Sequence, residues 1–130
     1  MPCPYEKPPF HWRRKFVYAF RGIAVGVRGE RSFVVHFVAA LAVVLAAWWL
    51  GCTLAEWCVL SLAIGGVLTA ELFNSALERL AGAITSEEDP HVRDALDIAA
   101  GAVLLASATS VAVGVLVFGS RFWVIWMGAH

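Results

Sequence analysis

A chain of 130 residues that is 60% hydrophobic and only 15% charged is too apolar for an ordinary soluble domain and too short for more than one folded unit. Its formal net charge is zero, yet Lys7, Arg13, Arg14, Lys15, Arg21, Arg28 and Arg31 all precede the first long apolar run. The composition leaves a small all-α integral membrane protein, and the uneven placement of its basic residues sets the topology.

Residues 1–9, with Pro2, Pro4, Pro8 and Pro9, are predicted as a flexible lead-in. Residues 10–130 then form a single membrane domain. No clean apolar core follows the early basic residues, so no cleavable signal is expected and the N-terminus stays on the protein. Over residues 10–30 Trp12, Phe16, Phe20, Ile23 and Val27 recur at three- and four-residue intervals, with the arginines mostly off that stripe. This pattern predicts an amphipathic surface helix in the headgroup layer, bending at Gly22, Gly26 and Gly29.

Residues 33–55 are the first predicted span, interrupted only by His36 and ending near Trp48 and Trp49. Residues 51–56 read as a short turn with Glu56 as its only charge. Cys52 and Cys58 flank it as inert thiols, and the three cysteines form no ligand pattern with the four histidines. The second span covers 57–84. A polar connection containing Glu87, Glu88, Asp89, the helix-breaking Pro90 and Arg93 leads to a third span at about 92–119. Ala99, Ala100, Gly101 and Ala102 give that helix a close-packing surface, and Arg121, Phe122, Trp123 and Trp126 anchor its outer end. The tryptophans are thus interfacial anchors, not a nucleic-acid platform. Three spans put the N-terminus inside and the C-terminus outside.

The second span carries the chemistry. Glu71, Asn74, Ser75 and Glu78 fall at i, i+3, i+4 and i+7, so two carboxylates and an amide share one helical stripe. A carboxylate in hydrocarbon must be protonated, paired or bound to a cation, which points to a divalent-metal or phosphate site. The alternative is a polar seam between helices, although such seams rarely need two acids. By helical rise Glu71 lies in the inner part of the bilayer and Glu78 at its inner interface. Glu30 and Asp97 enter their spans at a similar depth. Together these oxygens suit Mg²⁺, which needs one or two carboxylates, while Arg13, Arg14, Arg21 and Arg93 are available to polyphosphate. No GxxxxGK[ST] or kinase-type glycine loop is present, which excludes soluble nucleotide-binding folds as the source of activity. His36 reads as a packing residue without chemistry.

The run Glu-x-x-Asn-Ser-Ala-Leu-Glu from Glu71 to Glu78 resembles the signature of the prokaryotic diacylglycerol kinase family, which includes undecaprenol kinases. Supporting stretches are Tyr18-Ala-Phe-Arg-Gly-Ile23, Glu30-Arg-Ser-Phe33 with His36, and Asp97-Ile-Ala-Ala-Gly-Ala-Val103. The resemblance implies a homotrimer of three-span subunits in the bacterial cytoplasmic membrane. The implied reaction is ATP- and Mg²⁺-dependent phosphorylation of a membrane lipid alcohol, diacylglycerol or undecaprenol. By the same resemblance Glu71 is the general base and Asn74 orients base or substrate, with Arg21 and Ala100 beside the lipid. Glu30 and Glu78 hold the metal, and Tyr18, Glu87, Glu88, Asp89, Arg93 and Asp97 join them around the nucleotide. Two positions depart from the family pattern: Gly82 where an aspartate is usual, and Leu96 where a lysine is usual. These departures leave a second reading, a non-catalytic trimeric scaffold or metal-binding module on the same fold.

Overall fold

The computed structural model describes Pro9 and residues 11–129, so the expected lead-in lies, Pro9 apart, outside the described residues. Four helices follow in order: α1 Trp12–Val27, α2 Arg31–Trp49, α3 Leu54–Ile84 and α4 Pro90–Gly128. No strand occurs among the described residues. Helices α2, α3 and α4 are each long and apolar enough to cross a membrane. At about 1.5 Å per residue, the 19 residues of α2 reach about 28 Å, just matching a hydrocarbon core of about 30 Å. The 31 residues of α3 and 39 of α4 extend beyond it.

Helix α3 is the hub against which α1, α2 and α4 all pack. The shared apolar core is small, made of Phe33, Ala47, Leu50, Leu60, Val67 and Ala99. Most remaining large apolar side chains face outward, as expected where the solvent is lipid; Trp48 and Trp49 are 78% and 79% exposed. α1 keeps its stripe of Trp12, Phe16 and Phe20 exposed and touches the bundle only near its C-terminal end. There Gly26 is buried so closely against Leu72 that a Cβ would stand 2.6 Å from Leu72 Cδ2. Arg79 Nη2 donates to the Val25 carbonyl at 3.0 Å. The helix ends at Val27 instead of bending, because Gly29 adopts φ 82° and starts a turn before α2.

Several boundaries differ from the sequence expectation. α2 stops at Trp49, where Gly51 at φ 63° turns the chain, well before residue 55. α3 starts at Leu54, so Glu56 belongs to its first turn and not to a loop. Thr53 and Glu56 form a capping box: Thr53 N donates to Glu56 Oε2 at 2.7 Å, and Glu56 N to Thr53 Oγ1 at 3.3 Å. α4 begins at Pro90, which tolerates the first helical turn because its missing N–H has no partner there anyway. It then continues past Gly119 to Gly128, since nothing after Gly119 interrupts it. Arg121 secures that extension by donating to the Gly51 carbonyl and lying 3.0 Å from Glu56 Oε2. Cys52 and Cys58 are both free thiols.

Gly51, like Gly29, has a backbone conformation that other residues disfavour. Gly51→Ala is expected to destabilise the bundle by about 1 kcal/mol through left-handed strain. Gly82→Ala, at an exposed helical position where a Cβ meets nothing within 4 Å, should stabilise by about 0.5 kcal/mol. Unfolding of both variants in mixed detergent micelles checks the opposite signs, and two changes of the same sign would contradict this account of the turn.

Candidate active site

Among the described residues only two buried side chains are polar, Glu71 and Ser75, with relative exposures of 4% and 1%. Both lie on α3 one turn apart. A buried carboxylate needs partners, and α2 supplies them from its first two turns. Ser32 Oγ donates a hydrogen bond to Glu71 Oε1, and His36 Nε2 stands 3.6 Å from Glu71 Oε2. Ser32 and His36 are four residues apart, so both project from one face of α2. Sequence reading assigned His36 no chemistry and passed over Ser32. The signal that identifies them is their i, i+4 spacing at the start of a span that must meet an acid.

The stripe then grades toward the surface. Asn74 is half-buried, and its Nδ2 donates to Glu78 Oε1 at 2.9 Å, while Glu78 itself is exposed. Asn74 Oδ1 and Ser75 Oγ are buried without a hydrogen-bond partner. Such orphaned acceptors are uncommon in a folded protein and mark a place where a ligand would satisfy them. An amide oxygen beside a carboxylate is a hard-oxygen donor set, the kind that Mg²⁺ takes. Among the described residues no three or more His, Cys, Asp or Glu side chains gather to hold a metal.

Glu30 caps α2 through its backbone, and its half-buried side chain makes no cap bond. Asp97 is exposed on α4. The Ser32–Glu71 and Ser110–Ala63 hydrogen bonds set the registers of α2 and α4 on α3. Counted along those registers, Glu30 and Asp97 fall near the level of the Asn74–Glu78 turn. No hydrogen bond or ion pair joins Tyr18, Arg21, Glu30, Asp97 or Ala100 to the Glu71 group among the described residues. Tyr18, Arg21 and Ala100 are exposed.

The connecting loop has its own local structure. Asp89 accepts from His91 N at 2.8 Å and Val92 N at 3.2 Å, so its carboxylate caps α4. Thr85 Oγ1 donates to the Glu87 carbonyl and accepts from Glu87 N. Glu88 pairs with Arg93 at 3.0 Å on the open surface. Of the nucleotide residues expected here, Asp89 caps α4 and Glu88 pairs with Arg93, and Glu87, Glu88 and Asp89 are all exposed.

The sequence matches the family described as prokaryotic diacylglycerol kinase over residues 17–118, which takes in α2, α3, and most of α1 and α4. It is 38% identical over 105 residues to an undecaprenol kinase of Bacillus subtilis, covering 81% of this chain and 85% of that protein. It is also 37% identical over 101 residues to a diacylglycerol kinase of Synechocystis, covering 76% of this chain but only 57% of that longer protein. The buried Glu71 and the stripe through Glu78 lie wholly within the matched stretch, with most of the three-span bundle, and the chain belongs to the prokaryotic diacylglycerol kinase family.

Proposed function

We propose that this membrane lipid kinase moves the γ-phosphate of ATP to the hydroxyl of undecaprenol, with Glu71 as general base. The observation that carries the reading is that one buried carboxylate is gripped by Ser32 and His36 at the level of an unsatisfied amide oxygen. An ionised carboxylate has about four lone-pair sites, so Ser32 occupies one and leaves others for a substrate hydroxyl. Ser32 and His36 act as positioning residues that fix the carboxylate's rotamer. The hydroxyl oxygen attacks the γ-phosphorus as its proton passes to Glu71, the bond to the β-phosphate bridging oxygen breaks, and ADP leaves. Phosphoryl transfer asks the protein mainly for alignment and charge neutralisation.

Asn74, Glu78 and Glu30 would hold Mg²⁺, which when bound screens the phosphate charge and orients the transferred group. Asn74 Nδ2 keeps the Glu78 carboxylate in place from one turn away. Arg21 on α1 and Arg93 at the start of α4, the latter in a surface ion pair with Glu88, are exposed and would meet a polyphosphate. The basic residues ahead of α2 support an orientation with the N-terminus on the cytoplasmic side of the bacterial cytoplasmic membrane. Assembly as a homotrimer is part of the same reading. Undecaprenol is preferred because the match to the undecaprenol kinase covers most of both chains; the Synechocystis relative keeps diacylglycerol as the second substrate to test. No observation favours the scaffold reading.

With labelled ATP and Mg²⁺ in mixed micelles, label is expected on undecaprenol ahead of diacylglycerol; label on neither lipid would leave the kinase proposal without support. Glu71→Gln should lower kcat by about 10²-fold or more without loss of the folded assembly. Ser32→Ala should lower kcat roughly tenfold with the KM for ATP little changed, and Ser32→Thr should recover part of it. A matching rise in the ATP KM would instead place Ser32 at the nucleotide. Glu78→Gln should raise the Mg²⁺ concentration needed for half-maximal rate, as read from a metal titration at saturating ATP.

A further inference from the structure

Helix α3 presents two neighbouring stripes. Glu71, Ser75 and Glu78 make one; Leu72, Ala76 and Arg79, each the next residue in the chain, make the other, about 100° round the helix. The second stripe faces α1. Leu72 packs on Gly26, where a Cβ would stand 2.6 Å from Leu72 Cδ2, and Arg79 Nη2 donates to the Val25 carbonyl at 3.0 Å. Val25 lies in the last turn of α1, whose final carbonyls have no partner inside the helix, and the Arg28 N–H serves Ala24 instead. The guanidinium thus meets an otherwise unpaired acceptor at the negative end of α1. Away from these two contacts α1 stands off α3 across a gap of about 450 Å³, lined by Gly22 and Ile23 on one side and Thr69, Phe73 and Ala76 on the other. Among the described residues Arg79 makes no ion pair with Glu78, its neighbour in the chain.

We propose that Arg79 is a positioning residue for phosphoryl transfer, seating α1 on α3 so that Arg21 is held at the polyphosphate. The inference rests on the kinase reading and adds to it what keeps the basic helix in place. Arg21 stands one turn, about 6 Å along α1, from the carbonyl that Arg79 holds, and Arg79 shares a turn of α3 with Glu78. The placement of Arg21 relative to Glu78 therefore runs through this hydrogen bond and the Gly26 contact.

Arg79→Met keeps the apolar stem and removes the donor. Its KM for ATP is expected to rise roughly tenfold, the scale of one charge-assisted hydrogen bond lost, with kcat changed less than about twofold because Glu71, Ser32 and His36 are untouched. Arg79→Lys, which can still donate to the carbonyl, should recover most of the loss. Gly26→Val, which crowds Leu72 within the same seat, should repeat the pattern and carries the test if Arg79→Met does not assemble. Arg21→Gln should raise the ATP KM to a similar degree, and adding Arg79→Met to it should raise KM little further, since both act on one contact. Hydrogen–deuterium exchange in mixed micelles reads the seat itself: amides of residues 23–28 should lose roughly tenfold in protection in Arg79→Met, with α2 and α4 unchanged. Additive effects of the two substitutions, or a raised KM with α1 exchange unchanged, would put Arg79 on the nucleotide directly and overturn the positioning role. A fall in kcat matching the rise in KM in every variant would also overturn it, reducing the seat to a structural contact. Wild-type protein that phosphorylates neither undecaprenol nor diacylglycerol would sink the kinase reading and the positioning role with it, while exchange would still decide whether Arg79 seats α1.

Discussion

Placing a carboxylate inside a membrane-spanning helix is the constraint on which this bundle depends. Removing a charged group from water costs several kcal/mol unless partners replace the lost hydration, and in hydrocarbon no solvent can do so. Glu71 meets this demand through Ser32 and His36, which obliges the first turns of α2 to lie over the middle of α3. The same part of α3 receives α1, with Gly26 against Leu72 and Arg79 on the Val25 carbonyl. A reactive acid and the seating of two helices are thus one feature. Glu71→Gln keeps an oxygen for Ser32 and so keeps α2 seated, whereas a truncation to Ala would remove the polar contact that holds α2 on α3.

The opposite end of the bundle is tied by a second polar group. Arg121 reaches from α4 to the Gly51 carbonyl and to Glu56, which simultaneously completes the capping box with Thr53. Between these two ties the helices hold together through small residues and a short list of buried apolar side chains. In lipid this is sufficient, because burying apolar surface from hydrocarbon gains little and specific polar contacts set register. It also explains how α2 and α4 can remain apart along much of their length. A core filled to the density of a soluble protein would leave no such cleft.

The sequence made the spans, their order and the stripe from Glu71 to Glu78 legible, because a long apolar run and an acid within it are signals that tertiary contacts do not reverse. The boundaries were less legible. Thr53 and Glu56 carry the capping-box spacing, yet their proximity to Gly51 made a turn the natural reading; the turn is over by Thr53. The extension of α4 through Arg121 depends on a partner seventy residues away in the chain, and local pattern contains no trace of that. His36 was read as packing because an isolated histidine in an apolar run has no visible partner. Its partner became evident only when α2 and α3 were placed side by side, and Ser32 was hidden for the same reason.

The two departures from the family pattern can be weighed by where they sit. Gly82 is exposed near the end of α3, with open space around the position of a Cβ, so no neighbouring group there is stranded by the missing side chain. Leu96 is half-buried on α4 and contributes no charge. One turn earlier, Arg93 is held only by an ion pair with Glu88 in which both side chains are largely exposed, a contact worth about 0–1 kcal/mol. A triphosphate carries several negative charges against the single charge of Glu88, and a guanidinium grips phosphate oxygens in pairs. In the proposed reaction Arg93 would stand in for the cation absent at Leu96, one helical turn away, since its exposed bond to Glu88 is weak enough to give up.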